Sequence, residues 1–355
     1  MIKSEYFVVG CMSGTSLDGL DLAYIRFFLD KKWNFEIIQV VTVPYSEEWK
    51  NDKLKALVTF SVEELKDVDE EYTELLADNI NNFISQNNIA NLDAICSHGH
   101  TALHQPEIGL TYQIGNLRLL SKLTQKTVVC DFRKQDVEFN GQGAPLVPIG
   151  DRLLFSEYDF CLNLGGFANI SFEQKGRRIA FDICPANIVL NHYVGELGLE
   201  YDPNGENASR GLINESLLNK LNKLQYYKQN HPKSLGLEWV ENNIYPLIDS
   251  YNLDAKTILR TFVEHIAVQI VSAFNEIPKS SVLVSGGGAY NSFLIDLLKS
   301  KSSNKIVIPS QDILEYKEAL IFGLLGVLKL RNEINCLASV TGAEKNHSSG
   351  EVYQP

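Results

Sequence analysis

Two stretches of this chain read strand, glycine turn, strand, and they constrain its fold more than any other feature. The first is Val8-Val9-Gly10-Cys11-Met12-Ser13-Gly14-Thr15-Ser16-Leu17-Asp18-Gly19-Leu20-Asp21-Leu22-Ala23. Apolar Tyr6 to Val9 predicts a buried strand, and Leu22 to Phe28 predicts a second one after the turn. Most hairpins reverse in two residues, whereas this one spends about ten, far more than reversal needs. Its glycines admit a ligand to the backbone, successive N–H groups in such a turn form a concave anion site, and the hydroxyls add donors. Asp18 and Asp21 are acceptors suited to a hydroxyl, a water or a hydrated Mg²⁺. The stretch is therefore either a phosphate cradle with an acidic partner or a long surface turn held by Asx hydrogen bonds. No Gly-Lys-Ser/Thr follows, so it is not a Walker A loop.

The layout returns in the second half. Asp159 to Leu164 predicts a strand, Gly165-Gly166 a turn, Phe167 to Phe172 a second strand and Arg177 to Phe181 a third. With 355 residues there is chain enough for two cores, and the pattern predicts two related α/β domains facing each other across a cleft. The Gly/Pro-dense run Gly141–Pro148 marks the boundary. We place domain I at 1–137, with 335–355 returning to it, and domain II at 138–334. Ser61 with Glu64 forms a capping-box signature ahead of a helical apolar period from Leu65 to Phe83.

A net charge of −12 argues against a nucleic-acid binder held by phosphate contacts. The six cysteines are scattered without a C-x-x-C pair, which reads as reduced, buried thiols. There is no charged and then apolar leader, and no run of transmembrane length, so the expectation is a soluble cytoplasmic protein without a membrane partner.

Candidate chemistry sits at predicted strand ends. His98 and His100 follow a short buried strand; no Cys or carboxylate joins them at metal-ligand spacing, so they read as donors to sugar hydroxyls or as plain loop histidines. Arg133, after the next strand, is either a bidentate phosphate or carboxylate clamp or the partner of Asp131 or Asp136. Asp182 is either a general base at a strand's carboxyl end or an N-terminal helix cap, with Pro185 suiting the first helical turn. Gly286, Gly287 and Gly288 between a strand and a helix allow a flat ligand against the backbone, or close helix–sheet packing. Glu318 reads as a first-turn residue of an apolar helix opening at Glu315, where it complements the dipole.

Assembled in order, Gly10 to Gly19, Ser97-His98-Gly99-His100-Thr101, Asp131-Phe132-Arg133, Gly141 to Pro148, Asn163 to Ile170, Ser285 to Gly288 and Ser339-Val340-Thr341-Gly342-Ala343 resemble the signatures of the 1,6-anhydro-N-acetylmuramic acid kinases. The resemblance covers almost the whole chain. It implies an α/β fold of two ribonuclease-H-like domains, of the sugar kinase, Hsp70 and actin type, around an interdomain ATP cleft. It implies the cofactors ATP and Mg²⁺, with a homodimer as one possible assembly. The implied reaction is ATP-dependent phosphorylation of 1,6-anhydro-N-acetylmuramic acid at O6 while water opens the anhydro ring, giving N-acetylmuramic acid 6-phosphate and ADP in cell-wall recycling.

By motif, Gly14, Thr15, Ser16, Leu17, Asp18, Gly19, Leu20 and Asp21 would hold the ATP phosphates, and Gly165, Gly166, Asn169, Gly286, Gly287, Gly288 and Asn291 the rest of the nucleotide. Asp182, Arg133 and Glu318 would be catalytic, with Asp182 the base. His98, His100 and Asn187 would meet the sugar. The alternatives are a catalytically silent nucleotide- or sugar-binding sensor and a kinase for another amino sugar. The segment Asp182-Ile183-Cys184-Pro185-Ala186-Asn187 departs from the Asp-Thr-Gly-Pro-Gly-Asn common in that family, and a Cβ at 184 or 186 is expected to narrow backbone approach to a ligand.

Overall fold

The structure, a computed structural model, describes residues 3–14, 17–274 and 277–355, with the side chain of residue 62 left aside. The chain divides into two compact units, Met1–Leu154 with Tyr316–Pro355, and Phe155–Glu315. These limits differ from the expected 137/138 and 334/335. The reason is local: the Gly/Pro run belongs to the first unit, where Gly143 N–H donates to the Asp136 carboxylate and a Cβ on Gly150 would press onto Ile321.

In the first unit, β1 (Glu5–Ser13), β2 (Leu20–Asp30) and β3 (Lys32–Val43) form an antiparallel meander. β4 (Ala94–Ser97) then pairs parallel to β1, the separate hairpin β5 (His100–Gln105) and β6 (Leu110–Ile114) follows, and β7 (Val128–Cys130) pairs parallel to β4. β2 is apolar almost throughout because both its faces are covered, whereas β3, the edge strand, turns a half-polar face outward. The capping box at Ser61 and Glu64 is formed, at 2.7 and 3.3 Å, and opens the helix Val62–Gln86. Such a cap is worth about 1 kcal/mol.

In the second unit, β8 (Phe160–Leu164), β9 (Phe167–Gln174) and β10 (Arg177–Pro185) repeat the antiparallel meander. β11 (Ser281–Ser285) pairs parallel to β8, and β12 (Lys305–Val307) parallel to β11. The third strand, second, first, fourth and fifth thus lie in the same spatial order in both sheets: two ribonuclease-H-like units. The helix Ala255–Phe274 is long and apolar enough to cross a membrane, but Ile258, Leu259, Phe262, Ile266 and Ile270 are buried in this unit's core.

The helix Gln311–Leu330 runs from the second unit into the first, with its regular dihedrals broken at Tyr316 (φ −107°, ψ 16°). In the first unit it lies so close on the sheet that a Cβ at Gly10 would stand 2.0 Å from the Ala319 carbonyl oxygen. The C-terminal segment returns to the first sheet, where β13 (Glu351–Tyr353) pairs antiparallel to β7.

Candidate active site

In the first unit the polar residues gather at the carboxyl ends of β1, β4 and β7. β1 ends at Ser13 and β2 begins at Leu20, so the turn takes six residues, Gly14–Gly19. Thr15 and Ser16, both expected at the phosphates, lie outside the described residues. Leu17 N–H donates to the Gly14 carbonyl, and Leu17 holds a left-handed backbone (φ 60°). The side chains of Leu17 and Leu20 are buried, so these two can serve a ligand through the backbone alone. Gly19 lies against the Val43 carbonyl, where a Cβ would come within 2.6 Å. Asp18 is exposed, and Asp21 accepts a hydrogen bond from Thr42 at 2.6 Å.

His98 has no ring nitrogen left for a sugar hydroxyl. Its Nδ1 donates to the Gly99 carbonyl at 2.9 Å and its Nε2 accepts from Arg133 Nε at 2.8 Å. Burial and then the Arg133 charge hold its pKa well below the ordinary value, so it stays a neutral acceptor. His98 therefore aims Arg133. Arg133 Nη1 donates to the Gly143 carbonyl at 2.8 Å, and the other N–H groups of the fork carry no hydrogen bond to a described residue. Neither Asp131 nor Asp136 pairs with the guanidinium, which removes the surface-ion-pair reading.

His100 sits beneath the hairpin turn. Its Nδ1 shares a 2.8 Å hydrogen bond with Ser13 Oγ, which also bonds Tyr45 at 2.6 Å, and burial lowers its pKa to about 4.

Glu318 lies two residues past the break at Tyr316, in the first turn of the helical stretch that runs on to Leu330. Dipole complementarity at that start is therefore a structural reason for its charge. Its residue is solvent-exposed, yet desolvation by the surrounding protein raises its carboxyl pKa, opposed by the charges of Arg133 and Lys317.

In the second unit, four polar side chains stand in register across the sheet. Ser285 pairs with Asn163, Asn163 with Asn169, and Asn169 with Asp182. Asp182 lies at a β-bulge, where the register of β10 on β9 slips between Asp182 and Cys184. One carboxylate oxygen, Oδ2, accepts from Leu235 N–H at 2.8 Å, while Oδ1 has no hydrogen bond to a described residue. Burial raises the pKa, and the Leu235 bond opposes that rise.

The helix-cap reading of Asp182 fails. The following helix is Asn187–Val194, its cap position is Ala186, and Pro185 ends β10 instead of opening the helix. The bulge also answers the departure from the family pattern. Cys184 and Ala186 are both buried and belong to the core of this unit, so their Cβ atoms pack inward.

The glycines divide into two kinds. Gly286 has φ 83° and a Cβ there would lie 2.5 Å from Asn163 Oδ1; Gly288 would meet Leu164 at 2.8 Å. These two are required by the protein itself. A Cβ on Gly287 would meet nothing within 4 Å, and one on Gly165 or Gly166 nothing nearer than 3.4 and 3.8 Å. Packing therefore gives no reason for glycine at these three positions, where the backbone is open to a neighbour.

The carbonyls of Gly165 and Gly166 receive the first N–H groups of the helix Asn187–Val194. Asn187 reaches the Leu164 carbonyl at 3.4 Å. Asn291 is a helix cap, accepting from Leu294 N–H at 3.0 Å.

Sequence reasoning missed the surroundings of Asp182. Tyr226 donates to its carbonyl at 2.6 Å, and the Lys233 ammonium lies 4.6 Å from the Tyr226 ring centroid and 5.6 Å from that of Phe181. No local pattern ties Pro232-Lys233-Ser234 to residue 182, far earlier in the chain. Asn163 was readable as a polar residue in an apolar strand just before a Gly-Gly turn.

A sequence profile described as anhydro-N-acetylmuramic acid kinase matches residues 6–355. A protein of that name from Haemophilus influenzae is 32% identical, over 99% of this chain and 98% of its own length. One from Pseudomonas savastanoi pv. phaseolicola is 31% identical over 98% and 99%. Among solved structures, a ROK family glucokinase from Streptomyces griseus in complex with glucose and AMPPNP aligns with a TM-score of 0.40 and 10% identity, over 90% of this chain and 99% of that one. Matched end to end by the profile and by these relatives, the chain belongs to the anhydro-N-acetylmuramic acid kinase family.

Proposed function

We propose that this chain uses ATP to phosphorylate O6 of 1,6-anhydro-N-acetylmuramic acid while water opens the anhydro ring. Water attacks C1 and its proton passes to the Asp182 carboxylate. The C1–O6 bond breaks, and O6 takes the γ-phosphoryl group from ATP. The products are N-acetylmuramic acid 6-phosphate and ADP, and the proton held on Asp182 returns to solvent. The observation that carries the reading is the state of Asp182: Oδ2 is fixed by Leu235 N–H, Oδ1 is open, and burial raises its basicity.

Arg133, aimed by His98, stabilises charge on the transferring phosphoryl group, and Glu318 acts beside it. The phosphates are assigned to the turn between β1 and β2, and the open backbone at Gly165, Gly166 and Gly287 takes the rest of the nucleotide. Exposed Asp18 and neighbouring Asp21 suit Mg²⁺, which commonly takes one or two carboxylates together with water and substrate phosphates. When bound, Mg²⁺ supplies charge neutralisation at the β- and γ-phosphates. We place the reaction in the cytoplasm.

The test is Asp182→Asn in an assay coupling ADP release to the anhydro-sugar. The expected result is turnover below about one thousandth of the parent, on the scale of losing a general base, with ATP affinity within about threefold. Near-normal turnover would remove Asp182 as the base. A parent that binds both ligands without turnover would favour the sensor.

A further inference from the structure

The first unit contains a second constellation, outside the residues assigned to phosphoryl transfer. Asp136, Cys336 and His347 are buried, at 0%, 1% and 7% exposure, and their ligand atoms lie within 4.8 Å of one another. Asp136 comes from the helix Lys134–Glu138, immediately after Arg133. Cys336 and His347 face each other across an antiparallel bridge in the C-terminal segment, exchanging backbone hydrogen bonds of 3.1 and 3.2 Å.

The hydrogen bonds fix what each atom offers. His347 Nδ1 lies 3.0 Å from the Lys345 carbonyl, which can only accept, so Nδ1 is a donor and Nε2 is the ring atom left to face the carboxylate. Nε2 has no hydrogen-bond partner and lies 3.6 Å from Asp136 Oδ1. Asp136 Oδ1 itself accepts from Cys336 Sγ and Thr341 Oγ1, so the unsatisfied atom is the buried His347 Nε2, which costs free energy unless a cation joins it to the carboxylate. The Cys336 thiol donates to the same carboxylate oxygen at 2.9 Å. The Phe139 ring packs edge-on against the imidazole at 5.0 Å and holds its plane.

We propose that Asp136, Cys336 and His347 form a structural zinc site that clips the C-terminal segment to the helix Lys134–Glu138. Sulfur, imidazole and carboxylate are all zinc ligands, and the set is too soft for Mg²⁺. At tetrahedral angles, zinc would separate nitrogen from oxygen by roughly 3.3 Å and sulfur from oxygen by roughly 3.6 Å; His347 Nε2 and Asp136 Oδ1 already stand 3.6 Å apart, and the 2.9 Å Cys336–Asp136 hydrogen bond opens as the metal replaces its proton. A thiolate and a carboxylate neutralise the dication, and binding releases the thiol proton to solvent. The fourth position falls to water or to the Thr341 hydroxyl, which lies 2.7 Å from Asp136 Oδ1. The proposal is independent of the kinase reading, since none of the three residues touches the reaction proposed above.

The test uses the purified full chain, stripped with a chelator, dialysed, and titrated first with Co²⁺ and then with Zn²⁺. The expected result is one equivalent of Co²⁺ with a thiolate-to-cobalt charge-transfer band, displaced by one equivalent of Zn²⁺. Cys336→Ser loses the band, and His347→Gln weakens zinc binding by about two orders of magnitude. A folded parent that takes up no stoichiometric metal overturns the proposal, whatever the variants do. So does a charge-transfer band that persists in folded Cys336→Ser.

Discussion

The 2.8 Å contact between His98 Nε2 and Arg133 Nε makes a quantitative prediction. His98→Ala removes the acceptor that fixes the guanidinium plane while leaving the charge in place. A hydrogen bond from a charged donor contributes about 1.5–3 kcal/mol. At about 1.36 kcal/mol per decade, its loss from a group acting in the transition state lowers kcat/KM by roughly 10- to 150-fold. The substitution also opens space beside Phe322, whose ring centroid lies 4.6 Å from that of the imidazole, so stability falls by about 1–3 kcal/mol. Kinetics are therefore measured well below the melting temperature, by coupled ADP release. The discriminating experiment is a double-mutant cycle. If His98 works through Arg133, His98→Ala costs less than about threefold more on an Arg133→Ala background. Losses that multiply would refute the reasoning and give His98 a role of its own.

Two further outcomes are expected. Gly287→Ala keeps the parent's melting temperature within a few degrees, because its Cβ enters open space, but weakens ATP binding; Gly286→Ala, at φ 83° and 2.5 Å from Asn163 Oδ1, loses the fold. Thermal melts with nucleotide titration separate the two. Asp131 has its carboxyl pKa raised from 3.8 to about 6, chiefly by burial. Stability tied to the protonated form is full below about pH 4 and lost as pH rises through about 6. Asp131→Asn, which keeps an acceptor for Asn116 and tolerates the local φ of 57°, should then stabilise by on the order of 1–2 kcal/mol at pH 8 and by nothing at pH 4, read by denaturant unfolding.

What the sequence could convey was local. The Ser61–Glu64 box, the strand runs and the glycine turns each depend on neighbours a few residues apart, and these stand in the structure close to where their patterns put them. The job of His98 was hidden because its partner is 35 residues away and joins it only after β4 and β7 pair. Asp182 could not be told from a helix cap because the bulge that separates the two readings is a matter of register against β9. The unit boundary was misplaced because Gly and Pro mark turns equally well inside a core, where Asp136 holds Gly143. The Asp136, Cys336 and His347 set is spread over 200 residues and matches no ligand spacing, so folding alone brings it together.

The central claim is that a carboxylate activates water against C1 while O6 accepts phosphate. It is tested most directly by running the reaction in ¹⁸O-water and locating the label by mass spectrometry. The account predicts one ¹⁸O at the anomeric position of N-acetylmuramic acid 6-phosphate and none in its phosphate. Label confined to inorganic phosphate, or a 6-phosphorylated product without anomeric label, would contradict it.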